Sequence, residues 1–263
     1  MSTNGNDRAH LVHEARKTIK RMRAMARLLR RESGEREFAQ ANASLRAAGK
    51  RLAGARDAEV RIATLRDLRA RYPDELSEQP VRRLLARMEG DRVGAQGPDP
   101  ELAVLADIAE MRRDLLRWNL LEHDEQALSV GLQGIYRDGR RRYKRVKRSH
   151  ARDPVRMHDW RKRVKSLYYA LDMLGGKQAS ATAKLTRAAD RLGDVLGEEH
   201  DLWMFASFIE DEPRLDQQTR ERLLSLVGRR RKRLQKRALK LGSGLYARKP
   251  RRFAARAGKA LSG

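Results

Sequence analysis

Eight residues near the start of the chain, His13-Glu14-Ala15-Arg16-Lys17-Thr18-Ile19-Lys20, recur as His158-Asp159-Trp160-Arg161-Lys162-Arg163-Val164-Lys165 at an offset of 145. A second pair follows in the same order. Gly49-Lys50-Arg51-Leu52-Ala53-Gly54-Ala55-Arg56-Asp57 matches Gly193-Asp194-Val195-Leu196-Gly197-Glu198-Glu199-His200-Asp201 at an offset of 144. Two motifs kept in order and at nearly one separation mark a duplicated unit. The 263 residues therefore read as one domain, 1–263, built from repeats at about 5–149 and about 153–263.

The repeated unit is helical. Aromatic residues make up only 5% of the chain, and no alternating Val/Ile/Thr segment is bounded by hairpin turns. Long helical runs are instead punctuated by Gly and Pro. Gly34 follows the first helix, Pro73 and Pro80 bracket a turn, and Gly97-Pro98-Asp99-Pro100 reads as a loop. Asp153-Pro154 reads as an N-cap followed by proline at the first helical position, and Gly175-Gly176 closes that helix. Further breaks are expected near Pro213, Gly242 to Gly244 and Pro250. The fold class expected is all-α.

On a wheel turning about 100° per residue, Arg16, Lys17, Lys20, Arg23, Arg27 and Arg31 fall on the same side as His13. Leu11, Ala15, Ile19, Met22, Ala26 and Leu29 gather opposite. The second copy divides the same way. His158, Arg161, Lys162 and Lys165 form a front that continues through Tyr168, Tyr169 and Asp172, against a back of Trp160, Val164, Leu167, Leu171 and Leu174. Arg163 lies off this stripe, nearer the apolar side. Two later helices repeat the pattern. One sets Arg137, Arg140, Arg141, Lys144 and Arg148 against Ile135, Tyr143 and Val146; the other sets Arg229, Lys232, Arg233, Lys236 and Lys240 against Leu223, Val227, Leu234 and Leu241.

Charge decides what such faces are for. The chain carries 60 Lys and Arg against 35 Asp and Glu, a net charge of +25, which attracts polyanions and repels itself. Ordinary solvated helix faces interleave acids with bases at i,i+4, because like-charge neighbours are unfavourable. Few acids fall on these four fronts, so a binding surface is favoured over a merely solvated one. Nucleic acid, anionic membrane and polyphosphate are the partner classes to weigh. A membrane fits poorly, because the apolar backs are needed for a bundle core, and no run approaches the roughly 20 apolar residues that cross a bilayer.

There is no cysteine, which excludes disulfides and thiolate metal sites. A metal on His10 and His13, or on the His-Glu and His-Asp pairs, is opposed by the surrounding cations. No nucleophile-base pair, Walker loop or Gly-rich dinucleotide turn is present, so catalysis, cofactors and metals are not expected. Met1 to His10 is polar and unlike a secretory signal, which makes the cytoplasm the expected location.

These residues resemble the CHAD family, the conserved histidine α-helical domain. The likeness rests on the two His-containing motifs, on Arg56-Asp57 and Leu196-Gly197-Glu198-Glu199-His200-Asp201, and on Leu241-Gly242-Ser243-Gly244-Leu245-Tyr246. It implies two pseudo-symmetric four-helix bundles with long helices around a basic central groove or pore. It also implies binding of inorganic polyphosphate and association with polyphosphate granules. Carried over by position, His13, Arg16, Lys17, Lys20, His158, Arg161, Lys162 and Lys165 would be ligands. Arg56 is a weaker carry-over, since its counterpart is His200. Many members are fused to a triphosphate-tunnel domain; no acidic strand motif of that kind occurs here, so a stand-alone form without triphosphatase activity is expected.

The polyphosphate-binding set expected from faces and resemblance together is His13, Arg16, Lys17, Lys20, Arg23, Arg27, Arg56, Arg137, Arg140, Arg141, Lys144, His158, Arg161, Lys162, Lys165, Tyr169, Arg229, Lys232, Arg233 and Lys236. Arg forks bind two phosphate oxygens and Lys supplies a mobile point charge, so helical rows of them follow a linear polymer. The histidines are either polar residues at a bundle edge or phosphate donors; their place on the cationic fronts favours the second. Two alternative functions stand beside polyphosphate binding. One is non-specific binding of RNA or DNA through the phosphate backbone, disfavoured by the shortage of aromatics for base stacking. The other is an interaction module that organises granules by binding an acidic protein.

Overall fold

The computed structural model describes residues 3–52, 54–76, 78–94, 108–109, 113, 125–174 and 180–258. The described elements are helical throughout, with no strand among the described residues. In chain order they are α1 (Thr3–Leu28), α2 (Arg30–Ser33), α3 (Glu35–Arg51), α4 (Gly54–Arg71), α5 (Glu78–Gly94), α6 (Glu125–Arg148), α7 (Pro154–Leu174), α8 (Ser180–Asp211), α9 (Gln217–Leu245) and α10 (Pro250–Gly258). Gly97 to Pro100, Gly175 and Gly176, read above as breaks, lie outside the described residues.

Local chemistry sets several of these boundaries. Gly34, at φ 85°, ends the α1–α2 run in a backbone conformation that favours glycine. Asp153 Oδ1 accepts the Arg156 backbone N–H at 3.0 Å, and Pro154 opens α7, so the expected cap is present. Pro250 opens α10 and Pro213 lies between α8 and α9. Gly242 and Gly244 do not break the chain: α9 continues through Leu245. The reason at Gly242 is proximity. A Cβ there would come within 2.7 Å of the Trp160 ring and 2.8 Å of Tyr143, so the missing side chain admits two aromatic rings.

The chain divides into two compact units. The first comprises Met1–Leu52, Pro100–Asp194 and Leu239–Gly263; the second comprises Ala53–Asp99 and Val195–Ala238.

In the first unit α7 packs on α6 and α1, α10 packs on α6, and α3 packs on α1. The core is aromatic. Tyr136 stacks on Phe253 at 3.8 Å between centroids, and Tyr143 lies 5.4 Å from Trp160. The Tyr136 hydroxyl donates toward the Leu245 and Arg248 carbonyls, each at 3.1 Å, which satisfies a polar tip that burial would otherwise penalise. Where α6 crosses α1 the backbones nearly touch: a Cβ on Gly131 would lie 1.9 Å from the Leu28 carbonyl oxygen. Only glycine fits there. On α1, Ala15, Ile19, Met22 and Ala26 are buried as the wheel requires, as is Leu29 just after it, but Leu11 is 53% exposed and Val12 is buried in its place.

In the second unit α4 packs on α5. Leu65, Leu68, Leu84, Phe205, Leu223 and Val227 are among its buried residues. Glu199 is 2% exposed and accepts hydrogen bonds from Arg231 Nη2 and Gln235 Nε2, both at 2.9 Å. That network satisfies a buried carboxylate, as burial of a charge demands.

Candidate anion-binding site

The front of α1 is densest in charge at its C-terminal half. Arg23 Nε donates to Asn42 Oδ1 at 3.2 Å. Arg27 donates to the same oxygen at 3.4 Å and to the Arg23 carbonyl at 2.9 Å. All of these acceptors are neutral. Burial first, then the neighbouring Arg23 and Arg163, push Arg27 down to about 9. Burial, Arg46 and Arg163 lower Arg23 as well. Asp138 acts the other way on Arg27. It also lies 3.9 Å from Arg163 and 2.8 Å from Arg141. Arg27 thus sits partly buried with Arg23 and Arg163 close enough to repel it, and Asp138, 3.9 Å from Arg163, offsets this in part. An anion there would relieve both the desolvation and the mutual repulsion.

The rest of the α1 front is more varied. Arg16 Nη1 donates to the Leu52 carbonyl at 2.7 Å, and Lys17 Nζ lies 3.3 Å from Glu14. His13 and Lys20 are exposed.

On α7, His158 and Arg161 are half-buried. Burial, Lys162 and Arg161 lower the His158 imidazole, with Asp159 opposing. Lys162 is paired with Asp159 at 2.6 Å. Lys165 reaches Asp194 at 3.1 Å and Asp190 at 3.5 Å, and it lies over the Tyr168 ring at 5.3 Å. Gly193 makes room for it, since a Cβ there would come within 2.8 Å of the lysine stem. Tyr169 is 8% exposed, and burial raises its phenol. On α6, Arg137, Arg141 and Lys144 are exposed, while Arg140 Nε donates to the Tyr246 carbonyl at 3.1 Å.

A family model described as the CHAD domain matches residues 3–210 of the 263-residue chain. The chain belongs to the CHAD family. No curated protein and no solved structure matched the sequence. The matched span of the CHAD domain runs from α1 through nearly all of α8. The Leu241 to Tyr246 stretch lies beyond it.

Of the CHAD residues expected to bind, the first unit brings Arg23 and Arg27 into one cluster. It sets Lys162, Lys165 and Arg141 among acids from their own and neighbouring helices. Arg229, Lys232, Arg233 and Lys236 belong to the second unit. There Arg229 pairs with Glu75 and lies over the Tyr72 ring at 5.2 Å; the other three are exposed. The Arg56 side chain lies outside the described residues. Helical periodicity missed Arg163 and Arg46. Arg163 sits toward the apolar side of α7, and that side faces α1, where the cluster is. Arg46 comes from α3. Its proximity to Arg23 is tertiary and leaves no local sequence signal.

Among the described residues no group of three His, Asp or Glu is placed to hold a metal ion. No helix among them is long and apolar enough to cross a membrane.

Proposed function

We propose that this CHAD protein is a non-catalytic binder of inorganic polyphosphate. The observation that carries it is the Arg23–Arg27 pair, buried, bonded to neutral acceptors and repelled by Arg46 and Arg163. Such an arrangement weakens the folded protein in the absence of an anion, and repeated phosphate oxygens are suited to satisfy several Arg forks at once. Membership of the CHAD family supports the same ligand. The exposed rows on α1, α6 and α9 supply further contacts, and the two pseudo-symmetric four-helix bundles around a basic groove form part of the same proposal. Cytoplasmic residence at polyphosphate granules is the cellular expectation.

Nucleic acid fits less well. A protein that stacks bases needs open aromatic faces. Tyr169 is buried, and Tyr168 is half-buried beneath Lys165. The test is competition: long-chain polyphosphate displaces labelled single-stranded or duplex nucleic acid at equal phosphate concentration, and the reverse exchange fails. Efficient displacement of polyphosphate by nucleic acid would instead assign the protein to RNA or DNA. Binding to granule preparations should disappear when polyphosphate is hydrolysed; persistence would favour a protein partner.

A further inference from the structure

A concave feature lies mostly outside the basic stripes, sharing only Arg148 with them. Where α6 turns into α7, a cleft of about 310 Å³ is lined by Arg142, Arg145, Arg148, Arg156 and Asp159. None of the five is in the set of ligands expected from sequence. The three residues from α6 are spaced by three, which puts their side chains on adjoining turns. The two from α7 share its first turns.

Three observations give this cleft a built character. First, its charge is one-sided, four guanidinium groups against one carboxylate, and Asp159 is already held by Lys162 at 2.6 Å. Second, Arg142 has a buried Nε without a hydrogen-bond partner, and its nearest acid, Asp159, is 4.0 Å away. A buried unsatisfied donor on a cation is costly. Third, the turn is fixed. His150 and Ala151 adopt φ 50° and 58°, the left-handed conformation that L residues rarely take. Ala151 donates its backbone N–H to the Val146 carbonyl at 3.0 Å and is 1% exposed. Arg156 Nε is held at 2.9 Å by Asp153, the residue that caps α7. The helix ends that carry the arginines are therefore tied together.

We propose that the α6–α7 corner is a separate site for a short inorganic oligophosphate, pyrophosphate or triphosphate. The volume lies at the small end of the roughly 300–1,000 Å³ range of small-ligand pockets. A few phosphoryl groups present enough oxygens to engage several guanidinium forks bidentately, and two or three adjacent phosphates match the one-sided charge. The site is separable from the long-polymer reading, because of its arginines only Arg148 lies on the α6 front and none belongs to the α1 cluster.

The test is calorimetric titration of the full chain with sodium triphosphate, with long-chain polyphosphate titrated in parallel. Wild type is expected to bind triphosphate saturably at one strong site. Arg145→Glu with Arg148→Glu, both exposed and therefore tolerable to the fold, should weaken that binding at least tenfold. Lys184→Glu with Arg214→Glu, which changes net charge equally at exposed positions elsewhere, should leave it within twofold. Arg142→Gln, which removes the buried guanidinium, should also weaken it. Triphosphate binding that is absent in wild type, or unmoved by the pocket variants, or reduced as much by the charge-matched control, overturns the site. Loss of long-polymer binding in wild type with triphosphate binding intact would sink the polyphosphate function and leave this site standing.

Discussion

Replacing Arg27 with methionine should make the protein more stable and a poorer binder. The fall of Arg27 from the ordinary guanidinium value to about 9, at about 1.4 kcal/mol per pH unit, weighs against the folded charged form by about 5 kcal/mol. Because the folded-state value is depressed, this penalty is fully present below about pH 9 and fades as pH rises through it. Methionine keeps the length and apolar contacts of the side chain while removing the charge. Against the gain stand two lost hydrogen bonds, to Asn42 and to the Arg23 carbonyl, at about 1.5–3 kcal/mol each for a charged donor. Neither acceptor is stranded, since Arg23 still bonds Asn42 and the Arg23 carbonyl lies within α1. The net expectation, at the midpoint of that range, is a gain of about 0.5 kcal/mol, or a Tm rise of about 1–2 °C in a chain of this size. Differential scanning calorimetry in phosphate-free buffer reads it. Long-chain polyphosphate should raise the Tm of wild type more than that of the variant, and polymer affinity should drop about tenfold at low salt, the equivalent of about 1.4 kcal/mol. A lower Tm together with unchanged affinity would show that Arg27 is a structural residue, and the electrostatic reasoning would be wrong.

Lowering pH from about 7.5 to about 5.5 should tighten polymer binding. His158 is held below the ordinary histidine value in the free protein, chiefly by burial, and a bound polyanion raises it, so binding takes up a proton across that window. His158→Gln should flatten the profile, and a flat wild-type profile would remove the histidine from the site. Gly131→Ala should destabilise the fold by about 1–3 kcal/mol or more through overpacking, because its Cβ has a backbone carbonyl 1.9 Å away; an unchanged urea midpoint would contradict the close crossing. Asp153→Ala removes the side-chain cap of α7 and should cost about 1 kcal/mol of stability, measurable by the same denaturation.

Much of the fold could be read from patterns along single helices. The apolar spacing of Ala15, Ile19 and Met22, and of Trp160, Val164 and Leu171, anticipates two buried faces, and Asp153-Pro154 marks the start of α7. Gly242 misled for a physical reason: a glycine inside a helix reads as a breaker, yet here it is what lets Trp160 and Tyr143 approach α9. The candidate site was legible only by halves. Wheel angles place Arg23 and Arg27 on a common face, but they carry no information about the helix alongside, so Arg46 and Arg163 escaped. The same blindness made the fronts look free of acid. Asp190 and Asp194 reach Lys165 from α8, and Glu75 reaches Arg229 from the segment before α5. Tyr169 lies on the cationic front by angle and is buried by tertiary packing.

The claim that the buried arginines of α1, with Arg163 of α7 beside them, recruit a phosphate polymer is tested most directly by one titration. Long-chain polyphosphate is titrated into wild type and into Arg27→Met with Arg163→Met, across a range of salt concentrations. Wild type should bind tightly with a steep loss as salt rises, through counterion release. The double variant should bind at least tenfold more weakly, with a shallower salt slope and unchanged circular dichroism. Equal affinity and equal slope for the two folded proteins would contradict the account.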